Sequence, residues 1–136
     1  MTTLNGQVIG EAQRAVQILL DQLLSRTGTT FHQWVALNTI AAGGGSATLD
    51  QLETRMTIGL QIDVGAVARI LDELAAAGLI DGGSFTAAGR DRHAGIQAGI
   101  AAITARLYAD VPAEDLAVAG RVLSTVTARA RAAVAG

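Results

Sequence analysis

Four arginines in the middle of the chain, Arg55, Arg69, Arg90 and Arg92, are the side chains best suited to an anionic partner. A guanidinium is a rigid fork of five donors that fits phosphate oxygens and the acceptor edge of guanine. The same stretch, Thr30 to Arg92, sets seven carboxylates against them: Asp50, Glu53, Asp63, Asp72, Glu73, Asp81 and Asp91. Each arginine therefore has two readings. Arg69 contacts a base or phosphate, or serves Asp72 and Glu73 at i+3 and i+4. Arg90 and Arg92 hold phosphates, or flank Asp91 in a solvated helical turn. Arg55 is a nucleic-acid contact or a solvated helix position. Two histidines complete the inventory. His32, beside Phe31, could hydrogen-bond a carboxylate or phenol. His93 lies on an apolar helical seam, where a satisfied interface histidine or a pH switch would sit.

Other chemistry is not supported. The chain has no Cys, and its ten basic residues are all Arg. Thiolate chemistry and disulfides are excluded, and Gly43-Gly44-Gly45 lacks the Lys and hydroxyl of a phosphate loop. Two histidines 61 positions apart make a poor metal site. No Ser, His and acid are placed as a nucleophile and its base. Neither enzymatic activity nor a cofactor or metal is expected. At 136 residues, 50% hydrophobic and with a net charge of −2, the chain is one folded domain rather than a disordered tail. No apolar run approaches the roughly 20 residues of a membrane span. No positive charge precedes the first apolar stretch, so a signal peptide is not expected and the cytoplasm is the expected compartment.

The breaks between elements are legible: Thr27 to Thr30, Gly43 to Ser46, a turn from Thr57 to Ile62 around Gly59, Gly78, Asp81 to Ser84, and Asp110 to Pro112. The segments between them read as helices. The first spans about Gly6 to Ser25, with Val8, Ala12, Ala15, Leu19 and Leu23 on one stripe. Thr30-Phe31-His32-Gln33 and Thr48-Leu49-Asp50-Gln51 are capping boxes that open the second and third helices. Phe31, Trp34, Leu37 and Ile40 follow the first box inward; Leu49, Leu52 and Met56 follow the second. Asp63 caps a fourth helix with Val67, Ile70, Leu71 and Leu74 inward and Gly78 as its left-handed stop. Ile80 and Phe85 flank Asp81-Gly82-Gly83-Ser84 as the two sides of a very short hairpin. Thr86 caps a fifth helix reaching about Ala109, and Pro112 with Glu114 and Asp115 opens a sixth.

The ends of the chain carry unusually little charge. From His93 to Ala105 there are 13 residues without a charged side chain. Gly89, His93, Ile96, Ile100, Ile103 and Leu107 recur there at helical spacing. Leu116, Ala119, Leu123, Val126 and Ala130 form a seam on the sixth helix. Three long apolar faces exceed what one 136-residue chain can cover, so a homodimer is expected. Val8, Ile96, Ile100, Ile103, Leu107, Leu116, Leu123 and Val126 are its expected interface.

The order of elements from Thr30 to Thr86 is that of a winged helix-turn-helix. Phe31-His32-Gln33-Trp34-Val35-Ala36-Leu37, Leu71-Asp72-Glu73-Leu74 through Gly78-Leu79-Ile80, and Phe85-Thr86-Ala87-Ala88-Gly89-Arg90 resemble, in order, stretches of the multiple-antibiotic-resistance regulator (MarR) family. The resemblance covers the whole chain. It implies a mainly α fold and a single domain over 1–136. Residues 30–92 would form the winged helix-turn-helix, and 5–26 and 87–136 the dimerisation helices. It also implies a homodimeric transcriptional regulator, commonly a repressor, on a pseudo-palindromic duplex operator. Repression is often relieved by a small aromatic ligand between the dimer helices and the winged unit, and Phe31 and His32 are the candidates here. The expected DNA-facing residues are Thr48, Arg55, Gln61, Val64, Gly65, Ala66, Arg69, Ser84, Arg90 and Arg92.

Three features depart from the family's pattern. The wing shrinks to four residues without an arginine. The first turns of the recognition helix offer Arg69 alone for base reading. The interval from Leu52 to Ile62 is about three or four residues too long; its Gly59-Leu60-Gln61 would form an extended loop or lengthen a helix. These departures leave a second reading open: a winged-helix dimer with weak or no DNA binding that serves as a protein-interaction or ligand-sensing module.

Overall fold

The computed structural model describes residues 2–136 in two compact units, the first ending at Ile103 and the second running from Thr104 to Gly136. The elements are α1 (Gly6–Ser25), α2 (Phe31–Ala42), α3 (Leu49–Leu60), α4 (Val64–Ala76), β1 (Ile80–Asp81), β2 (Ser84–Phe85), α5 (Ala87–Leu107) and α6 (Ala113–Ala135). The fold is mainly helical with one minimal antiparallel hairpin.

Helix starts in the first unit are fixed locally. The Asn5 carboxamide accepts from the Val8 amide at 2.9 Å and opens α1. Thr30 and Thr48 each accept from an amide three residues on, while Gln33 and Gln51 return to the threonine amide. Each box satisfies two backbone donors that a helix start otherwise leaves to water. Asp63 accepts from Ala66 at 2.7 Å and caps α4, and Gly78 ends it with φ +76°.

One core unites these pieces. Trp34, Leu37 and Ile40 of α2, Leu52 and Met56 of α3, Val67, Ile70 and Leu74 of α4, and Leu79 and Ile80 are all buried together. Leu24 of α1 and Ile96 of α5 enter the same cluster, with Leu20, Leu23 and Ile100 packed on its edge. Gly99 lets α1 and α5 close up: a Cβ there would stand 2.7 Å from Leu23 Cδ1.

The hairpin holds two pairs, Ile80 with Phe85 and Asp81 with Ser84. It is braced from outside. The Ala47 amide donates to the Gly83 carbonyl at 2.8 Å, and the Phe85 amide donates to Gly45 at 2.9 Å. The loop between α2 and α3 thus lies along β2, bridging Ser46 to Ser84. Gly83 is required there, because a Cβ would meet the Ala47 carbonyl oxygen at 2.0 Å. Past the hairpin, the Thr86 hydroxyl donates to the Gly78 carbonyl and accepts from the Gly89 amide. Gly89 lies so close to Leu79 that a Cβ would be 1.9 Å from its carbonyl oxygen.

Three expectations need correction. The turn expected from Thr57 to Ile62 is mostly helix: α3 runs on through Gly59 to Leu60, and left-handed Gln61 (φ 56°) ends it. The long interval is therefore a lengthened helix. Leu49, expected inward, occupies the first position of α3 and is 58% exposed. Ile96, expected at a dimer interface, is 1% exposed within its own chain. Helical periodicity marks a buried face without saying which chain covers it.

In the second unit, α5 finishes its last turn, Asp110 takes φ 65°, and Pro112 precedes α6. No residue of α6 is buried. Leu116, Val118, Val122, Leu123 and Val126 stand exposed along it.

Candidate nucleic-acid interface and ligand pocket

Two places in the first unit gather candidate functional side chains. The first is the outer side of α4. Its first turn presents Val64 and Gly65, exposed beyond the Asp63 cap, with Ala66 half-buried. Val67 and Ile70 hold this helix to the core, so Ala68, Arg69, Asp72 and Glu73 stay on the outside. Arg69 shares a shallow pocket of about 630 Å³ with His32, Ile62, Asp72 and Glu73. The one cation of α4 therefore sits beside two carboxylates. Thr48 spends its hydroxyl on its capping box, and exposed Gln61 is the left-handed stop before α4. Ser84 is exposed but lies in the braced hairpin.

The remaining arginines divide. Arg90 is exposed and lies over Gly45, its Nη2 3.6 Å from where a Cβ would stand. Arg92 turns inward: its Nη1 donates to Thr29 Oγ1 at 3.1 Å, tying α5 to the turn between α1 and α2. That guanidinium is engaged in the chain's own structure. Arg55 is exposed on α3 at the mouth of a different pocket.

This second pocket, about 590 Å³, lies between α2, α3 and α5. Its polar lining is Asn38, Thr39, Arg55, His93 and Gln97, with Val35 among its apolar walls. His93 is held on three sides. Its Nε2 is 2.9 Å from Asn38 Oδ1, its ring stacks on Trp34 at 5.0 Å, and Phe85 tilts against it at 5.7 Å. Burial pushes the His93 pKa below the ordinary histidine value, because desolvation disfavours the cation.

The expected ligand pair is not brought together as one wall. Phe31 packs against the core, whereas its neighbour His32 is exposed in the Arg69 pocket. Sequence reasoning missed Asn38, Thr39 and Gln97. A signal existed for Asn38, a polar residue one turn after Trp34 in an otherwise apolar helix. Nothing in the sequence joined it to His93, 55 residues away. Among the described residues, no three His, Cys, Asp or Glu side chains are grouped to hold a metal, and no helix is long and apolar enough to cross a membrane.

The helices and short hairpin give a fold similar to that of solved winged-helix proteins of the MarR type. Solved structures carry this likeness. MarR from E. coli in its reduced form is 21% identical, with a TM-score of 0.68 over 93% of this chain and 95% of that one. The Mycobacterium tuberculosis MarR family protein Rv2887, in complex with DNA, is 19% identical, with a TM-score of 0.72 over 92% and 98%. The same protein has also been solved with salicylic acid, at 20% identity and a TM-score of 0.67 over 92% and 99%. The transcriptional regulator PA3341 is 21% identical, with a TM-score of 0.74 over 93% and 97%. No family model and no curated protein matches the sequence. At these identities the shared property is the fold.

Proposed function

We propose that the chain is a cytoplasmic, homodimeric transcriptional regulator, a repressor on a pseudo-palindromic operator, that reads duplex DNA with α4 of each protomer. One observation carries this reading: α4 is capped by Asp63 and held to the core by Val67 and Ile70, and it keeps Val64, Gly65, Ala68 and Arg69 outward. That placement suits insertion of a helix into a major groove. The similar fold of Rv2887, solved on DNA, supports it. Arg69 reads a base edge, Arg90 holds a phosphate, and the free amides at the start of α3 and α4 add uncharged phosphate contacts. Exposed Leu116, Leu123 and Val126 supply the α6 part of the dimer interface. Dimerisation would remove an apolar seam from water and set two α4 helices to two half-sites. A small aromatic ligand lodges in the α2–α3–α5 pocket and releases the DNA, a role supported by the salicylic acid complex of Rv2887.

Selection of bound fragments from random duplex DNA tests the proposal. Enriched palindromes that salicylate displaces are the expected result; no enrichment at low salt would refute it.

A second reading has its own observation. The hairpin carries no arginine and is braced against Gly45 and Ala47, while Asp72 and Glu73 flank Arg69. These features favour a module whose DNA affinity has decayed and whose pocket keeps its sensing role. The same selection separates the two.

A further inference from the structure

Resting on the ligand reading of the α2–α3–α5 pocket, we infer that this pocket takes an organic carboxylate together with a proton, which is taken up by His93. Three observations converge. The pocket is lined by Asn38, Thr39 and Gln97, with Arg55 at its mouth and no carboxylate in its lining. An anion entering it meets donors and one permanent cation, and no like charge among the lining residues. His93 already uses one nitrogen, Nε2, on Asn38 Oδ1. In the neutral ring with Nε2 protonated, Nδ1 keeps a lone pair; a second proton turns it into a donor. Stacking on Trp34 fixes the plane of the ring, so the new donor points in one direction.

The surrounding charges make the proton dependent on the anion. Facing His93, α2 supplies Trp34, Val35, Asn38 and Thr39, and β2 supplies Phe85, all uncharged. From α3 the facing group is Arg55. On its own helix, Arg92 is turned to Thr29, Arg90 lies over Gly45, and Asp91 is exposed. Without an anion, partial burial opposes a charged His93 ring. A bound carboxylate reverses the local sign and pairs with both cations. Binding therefore raises the His93 pKa. Between the free and bound values, each anion bound carries one proton with it, and affinity changes by up to about tenfold per pH unit.

The chain's two histidines make this directly readable. Benzoate serves as the probe carboxylate, and imidazole NMR follows His93 with exposed His32 as internal reference. In the free protein His93 is expected to titrate below the ordinary histidine range. With benzoate the His93 pKa should rise. Calorimetry in two buffers of different ionisation enthalpy should report proton uptake approaching one per benzoate. From about pH 7.5 down to 5.5, affinity should rise in the parent chain. In His93→Gln, which keeps a donor for Asn38 and cannot titrate, it should stay flat. Benzoate bound with an unmoved His93 pKa and no proton uptake, or an unchanged pH slope in His93→Gln, overturns the proton linkage and leaves the ligand reading standing. No benzoate binding at any pH, or shifts confined to residues remote from Asn38 and Gln97, overturns the ligand reading and the linkage with it.

Discussion

Helices α4 and α6 carry seams of similar chemistry and opposite fate. On α4, Val67, Ile70 and Leu74 are 0%, 6% and 1% exposed; on α6, Leu116, Leu123 and Val126 are 37%, 38% and 43% exposed. The α4 seam has its partners in the same chain, from Leu37 to Met56. The α6 seam has none of its residues buried. An apolar stripe reports that a face wants cover; only packing tells who provides it. The contrast fits the proposed reading, in which the outer side of α4 meets DNA and α6 meets a second protomer.

Substituting one seam residue of each helix breaks this comparison most sharply. Val67→Asp would place a carboxylate in the core with no partner, at a cost of about 4 kcal/mol or more, and should leave the chain unfolded by circular dichroism. Leu123→Asp should instead leave a folded winged unit, with native Trp34 fluorescence, and shift sedimentation from dimer to monomer. A dimer that survives Leu123→Asp and Val126→Asp together would mean that α6 does not hold the protomers. Ile100→Asp is a poorer probe, because Ile100 packs on the chain's own core and its loss mixes unfolding with dissociation.

Two helical glycines sharpen the comparison on a smaller scale. Gly99 faces Leu23 across the α1–α5 contact, and an added Cβ falls 2.7 Å from Leu23 Cδ1 and 3.0 Å from Cδ2. Gly99→Ala requires the Leu23 methyls to turn aside, which offsets part or all of the helix-propensity gain of alanine. Gly59, inside α3, has nothing within 4 Å of its Cβ position. Gly59→Ala should stabilise by up to about 1 kcal/mol, because alanine restricts the unfolded chain and favours the helix. Thermal melts should place Gly59→Ala above Gly99→Ala; equal shifts would contradict the assigned packing.

What was legible in the sequence follows the range of the interaction. The caps at Thr30, Thr48 and Asp63, the stop at Gly78 and the four-residue hairpin depend on neighbours a few positions away, and all appear as expected. Gly59 looked like a turn because glycine usually breaks helices, yet α3 continues past it to Leu60, which packs against the core. The candidate sites were harder. Arg92 meets Thr29 across 63 residues and His93 meets Asn38 across 55, and no local pattern encodes either pair. The brace between Ala47 and Gly83 was equally hidden, because a single ladder contact leaves no periodicity to read.

The smallest expected effect concerns DNA and follows from where the arginines lie. Of the four central arginines, Arg92 is spent on Thr29 and Arg55 opens onto the α2–α3–α5 pocket. Arg69 and Arg90 remain, so a dimer brings four cations to the phosphates. Each neutralised phosphate contributes about 0.9 to the slope of log K against log salt, which gives a slope near −4, shallower where Asp72 and Glu73 compensate Arg69. Arg90→Ala should weaken binding to all sequences alike and reduce the slope by about 2 per dimer. Arg69→Ala should relax preference at one position in each half-site. Arg92→Ala should leave the slope unchanged and lower the melting temperature, because it loses a structural hydrogen bond. A salt titration of the selected fragment with the parent and the three variants measures all of this. A slope steeper than about −8, or a drop in slope for Arg92→Ala, would show that residues other than Arg69 and Arg90 carry the phosphates.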